Sequence, residues 1–302
     1  MHASLAAKPS MSTNFSRVLF AAGVLLIAMA SYQCGAALAK QLFPAVGAQG
    51  ATAYRLGLAA LILLAWRRPW RNAHGREGRR ALWGYGLAIG AMNLVFYLSL
   101  RTIPLGIAVA LEFTGPLALA LFGSRRLADF VWVALMVFGL ALLLPLREQV
   151  QALDPVGVMY ALAAGVGWAV YIVLGQKAGA AYGADAVTLG TSIGALLAVP
   201  VGVAHAGSAL LSPALLPFAF GVAMLSSALP YTLEMIAMTR MPARTFSTLL
   251  SLEPAIAALA GVAFLGEHLS ATQWLAIAAI IVAAAGTTLS LRRPAEQRAA
   301  PE

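Results

Sequence analysis

Ten runs of about 20 predominantly apolar residues follow one another along the chain, near 18–38, 44–65, 81–100, 104–123, 128–146, 155–175, 184–204, 213–238, 244–265 and 271–291. Each is long enough to cross a hydrocarbon core about 30 Å thick as a helix. The rest of the composition agrees. The chain is 61% hydrophobic and 10% charged, with a mean hydropathy of +0.83, whereas soluble domains carry about 25% charged residues. The expectation is an all-α polytopic membrane protein. Its first five runs occupy 18–146 and its second five 155–291, with short tails at 1–17 and 292–302. The first run is read as a retained span rather than a cleaved leader, because more membrane segment follows it instead of a soluble domain.

Twenty lysines and arginines against 11 acids leave a net charge of +9, and the distribution of that excess sets an orientation. With the N-terminus in the cytoplasm, sixteen of the positive charges fall on the inner side, six of them between Arg67 and Arg80. Only Lys40, Arg101 and Arg147 fall outside, and Arg55 lies within the second span. Such a bias places both termini in the cytoplasm. No basic stretch is interleaved with aromatics in a polar context, so nucleic acid is not an expected partner. The Arg67–Arg80 loop is expected to attract anionic membrane lipid instead.

The prolines reveal an internal repeat. Pro104 and Pro116 are 12 residues apart, as are Pro242 and Pro254, and the second pair is the first shifted by 138. Leu127 and Trp132 match Leu269 and Trp274 at a shift of 142, so the second copy has a longer loop. Five spans per copy is an odd number, so the second copy enters the membrane upside down. Inverted repeats with prolines at corresponding helix breaks are a transporter signature, because two similar halves can rock about a site near the midplane.

Several segments carry a resemblance: Gly106–Pro116 with its Glu-Phe-Thr-Gly-Pro end, Ser124–Arg126 with Asp129–Trp132, Ala228–Ile236, and Arg244–Phe246 with Ser251–Pro254. In these the chain resembles the drug/metabolite transporter superfamily of EamA type, and it is most similar to the bacterial inner-membrane threonine/homoserine exporters. The resemblance implies ten helices in two inverted five-helix halves. It also implies proton-driven export of small amino acids from the cytoplasm by alternating access. A broader exporter of other amino acids, purines or drugs is the alternative within transport. A non-transporting membrane enzyme or scaffold is the alternative outside it. Oligomeric state is left open.

Three glutamates, Glu112, Glu234 and Glu253, fall inside spans. An ionised acid at mid-bilayer costs about 2.5–3.5 kcal/mol even on the insertion scale, so all three are expected to face a cavity. Glu112 is the leading candidate for proton coupling. Pro116, four residues on, cannot donate to its carbonyl, leaving an open acceptor beside an ionisable side chain. Its repeat match is Leu250, and Glu253 lies three residues further on about the same helix face, so the two acids are expected to approach one axis from opposite halves. On the eighth span Pro230, Tyr231 and Glu234 share a face. Their matches on the third span are Met92, Asn93 and Phe96, with Tyr97 next. Asn93, Tyr97 and Tyr231 are candidate hydrogen-bonding residues for substrate, with Phe96 as wall. Their bland reading is ordinary interhelical bonding.

Arg55 is the one intramembrane cation. It suits either a substrate carboxylate or a structural pairing with a buried glutamate, while Arg101 and Arg240 are expected to snorkel to the interface. The helix breaks at Pro104, Pro116, Pro230, Pro242 and Pro254 offer helix termini with their own potential. Metal ligation is not expected, since His2, His74, His205 and His268 lack ligand spacing. Cys34 is alone, and no HExxH, GxSxG or P-loop motif is present. Neither an enzyme activity nor a cofactor is therefore expected. The partners are an amino-acid substrate, protons and lipid.

Overall fold

The computed structural model describes residues 11–72, 75–103, 105–122, 127–143, 154–242, 245–246 and 249–265, with short pieces at 270–272, 274–276, 278–279 and 282–283. Among these residues the regular structure is all helical. Five long helices appear where apolar runs were read: α1 (Met11–Lys40), α2 (Phe43–Arg67), α3 (Arg79–Ser99), α7 (Pro155–Tyr182) and α8 (Asp185–Ala206). A sixth span, Leu216–Met238, is built from α9 (Leu216–Ala223), a π turn at Met224–Ala228 and α10 (Leu229–Met238). These six are long and apolar enough to cross a membrane.

The remaining apolar runs take a different form. In place of one helix over 104–123 the chain makes α4 (Leu105–Glu112) and α5 (Thr114–Phe122), and α6 (Leu127–Leu143) follows. In place of one helix over 244–265 it makes a 3-10 turn at Leu250–Leu252 and then α11 (Glu253–Leu265). Both interruptions lie just before a proline. Pro116 withholds a donor from the carbonyl of Glu112, and Pro254 withholds one from Leu250, so the ladder loosens one turn upstream. Pro242 follows the end of α10 in irregular, exposed backbone. Pro104, Arg244, the Arg125–Arg126 pair, Arg147, His2, His74, His268, residues 1–10, the C-terminal tail and most of the expected tenth span lie outside the described residues, while α1 begins at Met11, inside the expected N-terminal tail.

Small residues bring the helices together, as is usual where lipid supplies no hydrophobic drive. The α4–α5 break sits on α7 so closely that a Cβ on Gly115 would lie 1.8 Å from the carbonyl oxygen of Gly165. A Cβ on Gly165 would lie 2.5 Å from the carbonyl oxygen of Glu112. The carbonyl freed by Pro116 is therefore turned against α7. Elsewhere α2 packs on α8, α3 on both α7 and α8, and α1 on α10 and α11. At the start of α7, Asp154 accepts hydrogen bonds from the N–H groups of Val156 and Gly157. A hydrogen bond from Thr102 together with these cap bonds holds its carboxyl below the ordinary aspartate range.

The burial pattern is that of a protein dissolved in lipid. Leu19, Ile27, Leu61, Val166 and Leu196 are exposed, while Gln33, Thr52, Arg55, Asn93, Glu112, Glu234 and Glu253 are buried. Arg101 and Arg240 are exposed at helix ends, and Arg240 folds back to donate to the carbonyl of Ile236.

Candidate functional site: a cavity lined by three carboxylates

Glu112, Glu234 and Glu253 come from α4, α10 and α11, and all three line one small cavity of about 20 Å³. Tyr32 and Gln33 from α1, Met92 from α3, Val109 from α4, Trp168 from α7 and Tyr231 from α10 complete the lining. The convergence has a physical reason. An acid in a membrane helix is least costly where it faces other protein polar groups or enclosed water, and each helix is rotated to bring its acid inward. The acids are 5%, 5% and 2% exposed, so their charge is governed by one another and by their hydrogen bonds rather than by bulk water.

Those hydrogen bonds are unequal. Glu234 accepts from the Tyr171 hydroxyl at 2.6 Å. Glu253 accepts from Gln33 Nε2 at 2.7 Å through Oε1, and its Oε2 has no partner among the described residues. The Glu112 side chain makes no hydrogen bond among the described residues, although it borders the cavity and lies within electrostatic reach of Glu253, Arg55 and Glu234. Glu112 is thus the acid least committed to the protein. Trp168 stands against Phe113, ring edge to face at 6.3 Å, and fixes the wall beside it.

Asn93 and Tyr231, the pair matched in the sequence repeat, are hydrogen bonded. Asn93 Nδ2 donates to the Tyr231 hydroxyl at 2.7 Å, and to the Ile89 carbonyl at the same distance. Of the two, only Tyr231 lines the cavity. Phe96 and Tyr97 are fully buried beside it rather than in its lining.

Arg55 does not take the pairing with a buried glutamate that was one of its two expected roles. No carboxylate lies within ion-pair distance of it among the described residues. Its Nη2 donates to the Ser226 carbonyl at 2.6 Å and its Nε to Ser227 Oγ at 3.1 Å. The guanidinium lies over the rings of Tyr97 at 4.8 Å and Tyr32 at 5.0 Å. Pro230 explains the carbonyl. Four residues downstream of Ser226, it has no N–H to give, so the backbone opens into the π turn and leaves the Ser226 oxygen for Arg55. Helix α1 seals the same turn, with Ser31 Oγ donating to the Leu225 carbonyl at 2.7 Å.

Tyr32, Gln33, Trp168, Tyr171, Ser226 and Ser227 were not singled out in the sequence. Gln33 had the signal that flagged Asn93, an amide inside an apolar run. Ser226 was one step from the reasoning applied to Glu112 and Pro116. The aromatic residues carried no distinguishing signal. Among the described residues no cluster of His, Cys, Asp or Glu has metal-binding geometry, and Cys34 is a free, partly buried thiol.

Known proteins place this architecture. Residues 155–289 match the EamA-like transporter family. The chain is 57% identical over 270 residues to the threonine/homoserine exporter RhtA of Salmonella typhimurium strain LT2, covering 89% of this chain and 92% of that protein. The exporter of the same name from Escherichia coli K12 is 56% identical over the same share of each chain. A solved crystal structure with 19% identity superposes with a TM-score of 0.66 over 92% of this chain and 98% of its own, which shows a shared fold. A helical multi-pass membrane protein with an enclosed polar site is thereby defined, and the chain belongs to the EamA-like transporter family. Within that family its similarity runs to the RhtA exporters over nearly nine-tenths of its length.

Proposed function

We propose that this protein is a secondary active exporter of threonine and homoserine in the inner membrane, working by proton antiport and alternating access. The observation that carries the mechanism is the meeting of three glutamates in one small cavity. A zwitterionic amino acid brings an ammonium group, and Glu112, whose side chain makes no hydrogen bond among the described residues, is the acid best able to exchange a proton for it. Glu253, with one oxygen unpartnered among the described residues, is the second acceptor, and Glu234 is held by Tyr171. Antiport then follows from competition: substrate and proton require the same carboxylate in opposite states, so each biases the two-state equilibrium between inward and outward access.

The two halves, 18–146 and 155–291, are read as inverted five-helix repeats of a ten-helix bundle, with both termini in the cytoplasm. The hydrogen bond between Asn93 and Tyr231 supports that reading, because repeat-matched residues meet where a pseudo-two-fold axis passes between them. So do the matched interruptions before Pro116 and Pro254. The test is the initial rate of labelled threonine flux in proteoliposomes, with and without an imposed proton gradient. Flux that accelerates with the gradient is expected. Flux indifferent to it, from folded and inserted protein, would overturn the antiport reading.

A further inference from the structure

A second concave region lies between the start of α3 and the last turns of α7. It is a groove of about 510 Å³ lined by Arg76, Gly78, Arg79, Arg80, Ala81, Leu174 and Lys177. The helices meet closely on either side of Lys177. A Cβ on Gly84 would touch Leu174, and one on Gly78 would touch Ala181. The four cations thus ring the mouth of a cleft whose floor is apolar. None of the four is in an ion pair among the described residues, although Glu77 sits in the same loop; Arg67 alone is paired, to Asp185 at 3.3 Å. Four unpaired cations at one spot repel each other, and such an arrangement is stabilised by an anion carrying more than one charge.

What lies next to the cations decides the kind of anion. Beyond them, the exposed residues of both helices are apolar: Trp83 and Leu87 on α3, and Val166, Val170 and Val173 on α7. A soluble phosphate has no use for these surfaces, whereas acyl chains would lie along them while their headgroup meets the cations. Basic clefts between membrane helices are recognised by phospholipid headgroups on these grounds.

We infer that the α3–α7 cleft is a binding site for a phospholipid with two phosphates in its headgroup, held by Arg76, Arg79, Arg80 and Lys177. The test uses the full chain in phosphatidylcholine nanodiscs doped with a few per cent of either cardiolipin or phosphatidylglycerol, at matched phosphate, with lipid retention read by native mass spectrometry. Cardiolipin is expected to be retained at least tenfold over phosphatidylglycerol. The triple variant R79Q/R80Q/K177Q is expected to lose that preference. A second variant, R68Q/R71Q/R240Q, removes the same charge elsewhere and is expected to keep it. Equal retention of the two lipids, or equal loss in both variants, would reduce the cleft to a diffuse charge effect and overturn the inference. Displacement of cardiolipin by millimolar pyrophosphate would likewise overturn it, in favour of a soluble anion.

Discussion

Two neighbouring regions bury charge in opposite ways. Arg55 is enclosed: two of its nitrogens are bonded to Ser226 and Ser227, and two tyrosine rings cover its faces. The three glutamates border a small cavity, and among the described residues Glu253 Oε2 has no partner. A buried charge held by two hydrogen bonds and covered on both faces is fixed in place, even though Arg55 Nη1 has no partner among the described residues, while a buried charge beside a cavity can change its occupant. Under the proposed antiport, the contrast would give fixed positive potential to Arg55 and exchange to the acids. On that proposal the cation is kept unpaired from the acids among the described residues because a direct salt bridge would lock a carboxylate that must exchange its proton.

Substitutions can break this comparison, and the largest effect is expected at Glu112. Glu112→Gln keeps shape and removes ionisation, so gradient-driven threonine flux should fall to its no-gradient level while the protein remains folded. A normal gradient response in that variant would move the coupling to Glu253. Next comes Arg55→Leu, which forfeits two charge-assisted hydrogen bonds and two ring contacts. A loss of at least about 3 kcal/mol is expected, seen as a collapse in thermal stability in detergent. Arg55→Lys should recover only part of it, since an ammonium cannot reach both serines while lying flat between the rings.

Smaller effects sharpen the distinction among the acids. Tyr171→Phe removes the donor to Glu234 and should destabilise by about 1.5 to 3 kcal/mol, leaving the gradient dependence of transport in place. If it abolished coupling instead, Glu234 would belong with Glu112. Finally, a double-mutant cycle on Asn93→Leu and Tyr231→Phe should return a coupling energy of about 0.6 to 1.7 kcal/mol, the range for hydrogen bonds between membrane helices. A value near zero would remove this bond as a tie between α3 and α10.

Much of this was legible from residue order. Runs of 20 apolar residues specify spans because the bilayer has a fixed thickness, and six of them stand as long helices. The convergence of Glu112, Glu234 and Glu253 was legible for a related reason: lipid makes every other placement of an acid expensive. The prolines located the breaks before Pro116 and Pro254, yet the apolar run through each break concealed that the helix would divide. Local rules stop at partners. Arg55 is an arginine in a span wherever it points, and its true acceptor depended on how Pro230 reshaped a backbone 171 residues away. Tyr171 reaches Glu234 only because α7 and α10 meet, a contact with no local trace in the order of residues.

The central claim is that substrate ammonium and proton compete for the cavity acids, and the most direct measurement is proton release on substrate binding. Purified protein in weakly buffered detergent would be mixed with threonine while a pH dye is followed. Release of protons on mixing is predicted for the native chain, and its disappearance for Glu112→Gln. Threonine binding without any change in proton occupancy would contradict the account.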